Sequence, residues 1–351
     1  MKLTIKILSQ NPNLLSEFCD FGEKCRANET KIGVMPAARV QALVSFGLTQ
    51  NCEYWIVYDD EGKIVTRLGA HVSPHRPGEG TIGFFEANLT HLSCKEAVAL
   101  AISTAESWLQ LQNVKKIQAP VDINTWFQYR FSKPSKKGPR FKFEPTTPLE
   151  YEQLFRNLGY TDHSYYHSIA FPYIKILFFY LGLRGFEKTY KHFLKTGFTH
   201  RPMNFEKFEE IELPFIYDLV IKEFSDTVLF EPITFDVFKM LYASALKTYD
   251  FSPSCILIDP NQKPAGFLFA FYDNQHLVIK SIAIKKEYQG LKLASGLIFQ
   301  AVKKSMAIPG MKACVSALVR SGIQSEKIEN NRTKNIGLAW KHEYILLKKE
   351  L

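Results

Sequence analysis

The sequence lacks the patterns that define several large classes of protein. It has six cysteines in 351 residues and no C-x-x-C pair, which excludes a disulfide-stapled scaffold and a zinc ribbon. No Walker loop, dinucleotide fingerprint or Gly-x-Ser-x-Gly motif occurs. No group of histidines and carboxylates has the spacing of a metal site, so we expect no metal. Reduced thiols of this number favour the cytoplasm.

Long hydrophobic runs are missing as well. The most apolar run, 176–183, has eight residues, far fewer than the ~20 that cross a bilayer. We therefore expect no transmembrane segment and interpret the run as a buried or interdomain helix, with a membrane-surface or partner-binding element as the alternative. The N-terminus shows neither the long apolar stretch nor the cleavage site of a secretory signal.

Length and charge set the remaining limits. The chain has 44 Lys and Arg against 35 Asp and Glu, for a net charge of +9, and 46% of its residues are hydrophobic. This composition is typical of packed globular proteins, and the length predicts about two domains. The positive charge fits a nucleic acid or any phosphorylated anionic ligand equally well.

The first half predicts a hairpin, a further strand, a helix and another strand. The turn residues 59–62 join two β-type segments, which predicts the hairpin. Ser93 and Glu96 fit a capping box at the start of the helix. The predicted strands are 53–59, 63–72, 81–86 and 114–120, and the helix has a predicted buried face of Val98, Ile102, Ala105 and Trp108 or Leu109.

The second half repeats this order with different residues. Its predicted helices are 208–224 and about 291–306, and its predicted strands are 255–258, 265–272, 276–284, 313–318 and 343–348. The predicted fold class is therefore α/β, with a mostly antiparallel mixed sheet flanked by helices in each half. We predict an N-terminal domain at 1–172, a helical connector at 173–196 and a C-terminal domain at 197–351.

The stretch 281–294 is the most informative part of the chain. An apolar strand ends, a short charged turn follows, and Gln289 and Gly290 open a helix. This order places free backbone amides at the positive end of a helix dipole, where phosphate binds. Gly290 admits a ligand close to the backbone because it has no side chain.

These residues resemble the signature of the GNAT N-acetyltransferase superfamily, Gln/Arg-x-x-Gly-x-Gly/Ala at the start of a helix. Gln289 and Ala294 match its first and last positions, while Lys292 replaces its middle glycine. The resemblance implies acetyl-CoA or another acyl-CoA as co-substrate, with its pyrophosphate on the loop and its pantetheine arm on the preceding strand. The implied cofactor-binding residues are Ile282, Ala283, Ile284, Gln289, Gly290, Leu291, Lys292, Leu293, Ala294 and Ser295.

The resemblance leaves the catalytic residues unknown. Many members of the superfamily use a tyrosine as general acid, about eight residues after an asparagine. Asn330 and Asn331 are present, but 337–339 are glycine, leucine and alanine where that tyrosine would fall. We interpret the nearby Tyr344 as a core residue.

The first half also resembles GNAT proteins, through a GNAT-like bacterial group. The shared segments are 83–86 (Gly-Phe-Phe-Glu), 105–108 (Ala-Glu-Ser-Trp), 124–130 (Asn-Thr-Trp-Phe-Gln-Tyr-Arg) and 144–145 (Glu-Pro). Residues 87–93, which precede the helix, include no glycine. We therefore interpret the cofactor loop of this domain as degenerate.

One polar and aromatic group in the first half is a candidate substrate site. Its members are Trp126, Tyr129, Arg130 and Glu144. An arginine and a glutamate beside two aromatic rings suit a substrate with a carboxylate or an amine. The alternative is an ion pair that fixes a loop.

Two GNAT-like domains predict an acyl-CoA-dependent N-acyltransferase, most simply an N-acetyltransferase. The acceptor is expected to be a small-molecule or peptide amine that attacks the thioester directly. One alternative is a Fem-type aminoacyl-tRNA-dependent transferase, for which the positive charge leaves tRNA open as a partner. Another is a non-catalytic acyl-CoA-binding sensor, because the signature lacks its glycine and tyrosine.

Overall fold

The structure is a computed structural model that describes residues 2–27, 34–135, 138–174, 188, 190–246, 249–322 and 337–351. The chain forms two compact units. The first comprises Met1–Pro134, Lys142–Tyr165 and Glu343–Leu351, and the second comprises Ser135–Phe141 and Tyr166–His342. Each unit has its own hydrophobic core.

The first unit contains the hairpin, helix and strands that the sequence predicts. Its strands are β1 (Thr4–Ile7), β2 (Cys52–Tyr58), β3 (Ile64–Val72), β4 (Glu79–Ala87), β5 (Lys116–Ala119) and β6 (Phe131–Ser132). Its helices are α1 (Leu15–Cys25), α2 (Ala37–Gly47), α3 (Cys94–Leu111) and α4 (Leu149–Asn157). The predicted buried face of α3 is confirmed, since Val98, Ile102, Ala105 and Leu109 are all buried in this core.

The start of α3 differs from the prediction in its chemistry. Ser93 directly precedes the helix, but its side chain makes no capping hydrogen bond. The Ser93 amide donates instead to Nδ1 of His91 at 3.2 Å. The predicted capping box is therefore wrong, because the histidine ring of the preceding turn takes up the donor at this end of the helix.

The sheet of the first unit has one parallel step. Strands β1 to β4 are antiparallel neighbours, and β4 pairs with β5 in parallel. The sheet continues on the other side of β5 with β13 (Trp340–Glu350), which is antiparallel to it. The side chains of Ile345 and Leu347 enter the core of this unit.

The second unit repeats this arrangement. Its strands are β7 (Thr161–Pro172), β8 (Thr199–Pro202), β9 (Cys255–Ile258), β10 (Pro264–Asp273), β11 (His276–Ile284) and β12 (Ala313–Arg320). Its helices are α5 (Leu213–Glu223), α6 (Phe235–Leu246) and α7 (Leu293–Met306). A π-helical turn, Phe208–Glu212, leads into α5. The strand order is β8-β9-β10-β11-β12-β7, and among the described strands of this unit β11 and β12 are the one parallel pair.

The closing strand of each unit does not follow the predicted domain boundaries. We predicted that the last strand belongs to the domain at 197–351, but Glu343–Leu351 groups with the first unit because β13 pairs with β5. Residues 166–172, predicted for the first domain, group with the second unit because β7 pairs with β12. Such pairing between distant segments has no local signal in a sequence.

Most of the predicted connector at 173–196 lies outside the described residues, and so does the apolar run 176–183. Within it, Lys188 and residues 190–195 are helical. Among the described residues, no helix combines the length and the apolar character that a bilayer crossing requires.

Candidate functional site

The two parallel strands of the second unit separate part-way along their length. β11 and β12 pair only from His276 to Ile279 of β11. Over 281–284, β11 remains paired with β10, and no described strand pairs with its other edge. A strand with one open edge offers its N–H and C=O groups to an extended ligand. The predicted backbone site, Ile282, Ala283 and Ile284, lies on this edge.

The loop after β11 contains two left-handed residues. Gly290 has φ +86° and Lys292 has φ +60°. A Cβ atom on Gly290 would meet nothing within 4 Å, so backbone conformation rather than crowding favours glycine there. Lys292 directly precedes α7 and adopts the conformation that glycine takes at low cost. Its side chain is exposed.

Backbone amides line the mouth of this loop. The amides of Gly290, Leu291 and Lys292 donate to no group in the part of the chain that the structure describes. The first turn of α7, which includes Leu293, Ala294 and Ser295, adds the donors that any helix leaves free at its start. No acidic residue lies in that turn. The loop therefore has the features of an anion site at a helix N-terminus.

Gln289 has a bracing role in this loop. Its Nε2 donates to the carbonyl of Ile284 and to Oε2 of Glu223, both at 2.9 Å. The other oxygen of Glu223 accepts the amide of Lys286 at 3.1 Å. The side-chain amide of Gln289 thus holds the loop to the end of β11 and to the end of α5.

The corresponding place in the first unit is filled by the chain itself. β4 and β5 also separate after three paired residues. There the amide of Phe84 donates to Asp122, and the amide of Ala87 donates to the Tyr151 hydroxyl at 2.9 Å. A Cβ atom on Gly83 would lie 2.1 Å from the carbonyl oxygen of Val121. An extended ligand has no room to pair with β4 at this point.

The polar group predicted in the first half is only partly brought together. The Arg130 guanidinium lies over the Tyr129 ring, 3.8 Å from its centroid, and both residues line a cavity of the first unit. Glu144 is buried and accepts a hydrogen bond from the Tyr344 hydroxyl. Neither Trp126 nor Glu144 is among the residues that line the cavity.

Sequence reasoning missed the charged residues that line this cavity with Arg130. They are Arg67, Glu86 and Asp122, which come from three separate segments. Burial raises the pKa of the Asp122 carboxyl to about 7 and raises that of Glu86. Arg67 interrupts an otherwise largely apolar strand, and that interruption was the one available signal.

Residues 337–339, where the resemblance places a catalytic tyrosine, include no tyrosine. Asn330 and Asn331 lie outside the described residues. Tyr344 is fully buried, as predicted for a core residue.

Comparison with known families and structures agrees with this geometry. Residues 213–322 match the acetyltransferase (GNAT) family, a range that runs from α5 to just beyond β12. Over 99% of this chain and 98% of the other, the structure resembles a tandem GNAT protein from the clavulanic acid biosynthesis pathway, with a TM-score of 0.55 and 8% identity.

The chain has a tandem GNAT fold. A conserved protein of unknown function from Enterococcus faecalis matches over 100% of this chain and 73% of its own, with a TM-score of 0.58 and 10% identity. A GCN5-related N-acetyltransferase from Kribbella flavida matches over 99% and 72%, with a TM-score of 0.52 and 9% identity. No curated protein sequence matches the chain. The predicted fold class is confirmed, and the family match supports the predicted superfamily over residues 213–322.

Proposed function

We propose that the second unit binds an acyl-CoA and transfers its acyl group to an amine. The observation that carries the proposal is the open edge of β11 leading directly into the amide-lined loop at 290–295, within the segment that matches the GNAT family. The edge suits the amide groups of a pantetheine arm, and the loop suits a diphosphate.

The chemistry is a direct acyl transfer. The neutral amine attacks the thioester carbon, and the carbonyl oxygen becomes an oxyanion that backbone N–H groups stabilise. Collapse of this intermediate breaks the carbon–sulfur bond and releases the CoA thiolate. The proton lost by the nitrogen ends on the sulfur, so the products are an amide and a thiol. The fold favours a small-molecule or peptide amine as acceptor.

Calorimetry with CoA tests the binding step. Gly290→Val places a β-branched residue at φ +86° and disturbs the amide that faces the diphosphate, so we expect about tenfold weaker binding or more. Gly310→Val is the matched control, because Gly310 has φ +83° and lies in the turn before β12. Equal CoA affinity in the two variants would contradict the proposed diphosphate site in the loop at 290–295.

Release of free thiol from acetyl-CoA in the presence of a panel of amines tests the transfer step. Amine-dependent release supports an N-acyltransferase. CoA binding with no release by any amine would instead favour a non-catalytic acyl-CoA binder. Binding of aminoacyl-tRNA without binding of CoA would favour the Fem-type alternative.

A further inference from the structure

The first unit contains a cavity that the proposed acyl transfer does not use. It lies beside the point where β4 and β5 separate, and all its lining residues belong to this unit. Its polar lining includes Arg67, Glu86, Asp122 and Tyr151. Its volume is about 40 Å³, and since one buried water needs about 10–15 Å³, it has room for only a few non-hydrogen atoms.

Arg67 is the unusual member of this lining. Arg67 is 3% exposed, and neither its Nε nor its Nη1 has a hydrogen-bond partner in the part of the chain that the structure describes. The guanidinium lies 4.6 Å from the centre of the Phe18 ring. A ring face attracts a cation but accepts no planar pair of hydrogen bonds. A buried guanidinium in this state is costly unless a ligand supplies acceptors.

The nearby carboxylates are engaged elsewhere. Glu86 faces Arg67 across the β3–β4 pair, but its Oε1 lies 3.5 Å from Nη1 of Arg26 and its Oε2 accepts the Tyr151 hydroxyl at 2.9 Å. Asp122 accepts the amide of Phe84. Among the described residues, no carboxylate oxygen lies within the 4.0 Å of Arg67 that defines an ion pair.

We propose that this cavity binds the carboxylate of a small organic acid, with the Arg67 guanidinium as its counter-ion. A planar guanidinium and a carboxylate form charge-assisted hydrogen bonds of matching geometry. The side chains of Val40, Phe84, Phe85 and Phe131 give the cavity an apolar wall for a short hydrocarbon body.

The charges around the cavity select a monoanion. Arg67 and Arg130 both line the cavity, but the Glu86 carboxylate opposite Arg67 opposes a second negative charge, so an inorganic phosphate dianion fits poorly. Burial is the largest influence on the Asp122 carboxyl and raises its pKa to about 7. The charge of Glu86 on β4 also raises this pKa, while the charges of Arg67 on β3 and Arg39 on α2 lower it. In its protonated form Asp122 donates a hydrogen bond to the carboxylate of the ligand.

Propionate and its neutral isostere propionamide are the probes. We expect saturable binding of propionate to the full chain, seen by ligand-observed NMR and as a rise in melting temperature, and no binding of propionamide. Magnetisation transfer from the propionate methyl group to aromatic protons would support the apolar wall. Wild-type protein that binds neither probe at tens of millimolar, binds both equally, or prefers inorganic phosphate would overturn the proposal.

Two arginine variants separate the site from general effects of buried charge. Arg67→Gln should weaken propionate binding at least about tenfold. Arg76→Gln removes a partly buried arginine of the same unit that pairs with Glu79 and lies outside the cavity lining, and it should retain binding. Equal affinity in a folded Arg67→Gln variant would contradict the assignment, and the wild-type measurement decides if that variant does not fold. CoA binding to the second unit is measured separately, so the two proposals fail independently.

Discussion

The two units share a strand order and differ in what occupies the gap between their parallel strands. In the second unit no described strand covers the far end of the β11 edge, which leads to a loop with two left-handed residues. In the first unit Asp122 and Tyr151 occupy the edge of β4. The fold thus creates a gap in both units, and a few inserted side chains decide whether an extended ligand can use it.

The common frame extends to side chains. In each unit an aspartate at the end of the hairpin's first strand folds the turn with one carboxylate oxygen and contacts the loop before the central helix with the other. The pairs are Asp59 with His91, at 3.1 Å, and Asp259 with Tyr288, at 3.0 Å. These aspartate contacts are present in the unit whose gap is filled by its own side chains and also in the other unit. They therefore belong to the architecture of the fold and not to ligand binding.

The largest effect that distinguishes the two units is expected at Asp122. Its folded pKa of about 7 exceeds the ordinary 3.8, so the folded state holds a proton that the unfolded state has lost between these values. The free energy of unfolding therefore falls as pH rises from about 4 to 7, by roughly 4 kcal/mol from this group, and then levels off. Asp122→Asn should remove that fall.

Denaturant unfolding of wild type and Asp122→Asn at several pH values gives the measurement. The difference between the two isolates this group from all others that titrate. If the free energies of unfolding of the two proteins change with pH in parallel, Asp122 ionises with an ordinary pKa in the folded state, which would contradict this prediction.

A second prediction compares the hydroxyls of two tyrosines. Tyr151→Phe leaves the Ala87 amide and one oxygen of Glu86 without their buried partner, and should lower the free energy of unfolding by about 1–3 kcal/mol. Tyr288→Phe removes a hydrogen bond near solvent and should cost much less. Chemical denaturation measures both changes. If the two variants lose the same free energy of unfolding, the two hydroxyls stabilise their units equally and the predicted difference is wrong.

Backbone strain at Lys292 gives a smaller effect. A non-glycine residue at φ +60° costs roughly 1–2 kcal/mol, so Lys292→Gly should raise the melting temperature while Lys292→Ala should not. The matched change in the first unit is Asn113→Gly, at φ +62° in the turn after α3. Asparagine tolerates this conformation better than lysine does, so its gain should be smaller.

The smallest effect concerns the Lys292 side chain. We predict that it pairs with the diphosphate of CoA, and because it is exposed the pairing is screened by salt. Lys292→Ala should weaken CoA binding less than tenfold at low salt and by less still at high salt. Tighter binding by Lys292→Gly at both salt concentrations would indicate that the side chain obstructs the loop.

Local elements were predictable because their signals are local. The hairpin at β2–β3 and the buried face of α3 follow from turn residues and from periodicity within a few residues. The helices α1 and α2 were not predicted, because the whole opening segment was interpreted as polar; this describes α1 but not α2, whose sequence is largely apolar. The proximity of Arg67 to Asp122 was also beyond prediction, since it depends on how β3 and the segment after β5 pack.

The candidate loop shows the same division between local and distant information. Its position after β11 and before α7 was predicted from the order strand, turn and Gly290. The bond between Gln289 and Glu223 was not, because Glu223 lies on another helix. The left-handed conformation of Lys292 was also missed, because lysine gives no sign of it.

The origin of each closing strand also sets a timetable for synthesis. The second unit receives β7 before β12 has been made, so its sheet can close as soon as β12 leaves the ribosome. The first unit must wait for β13, more than two hundred residues after β5, or roughly 10–40 s at about 5–20 residues per second. During that interval β5 is an unpaired sheet edge, the kind of surface on which chaperones act and from which aggregation starts.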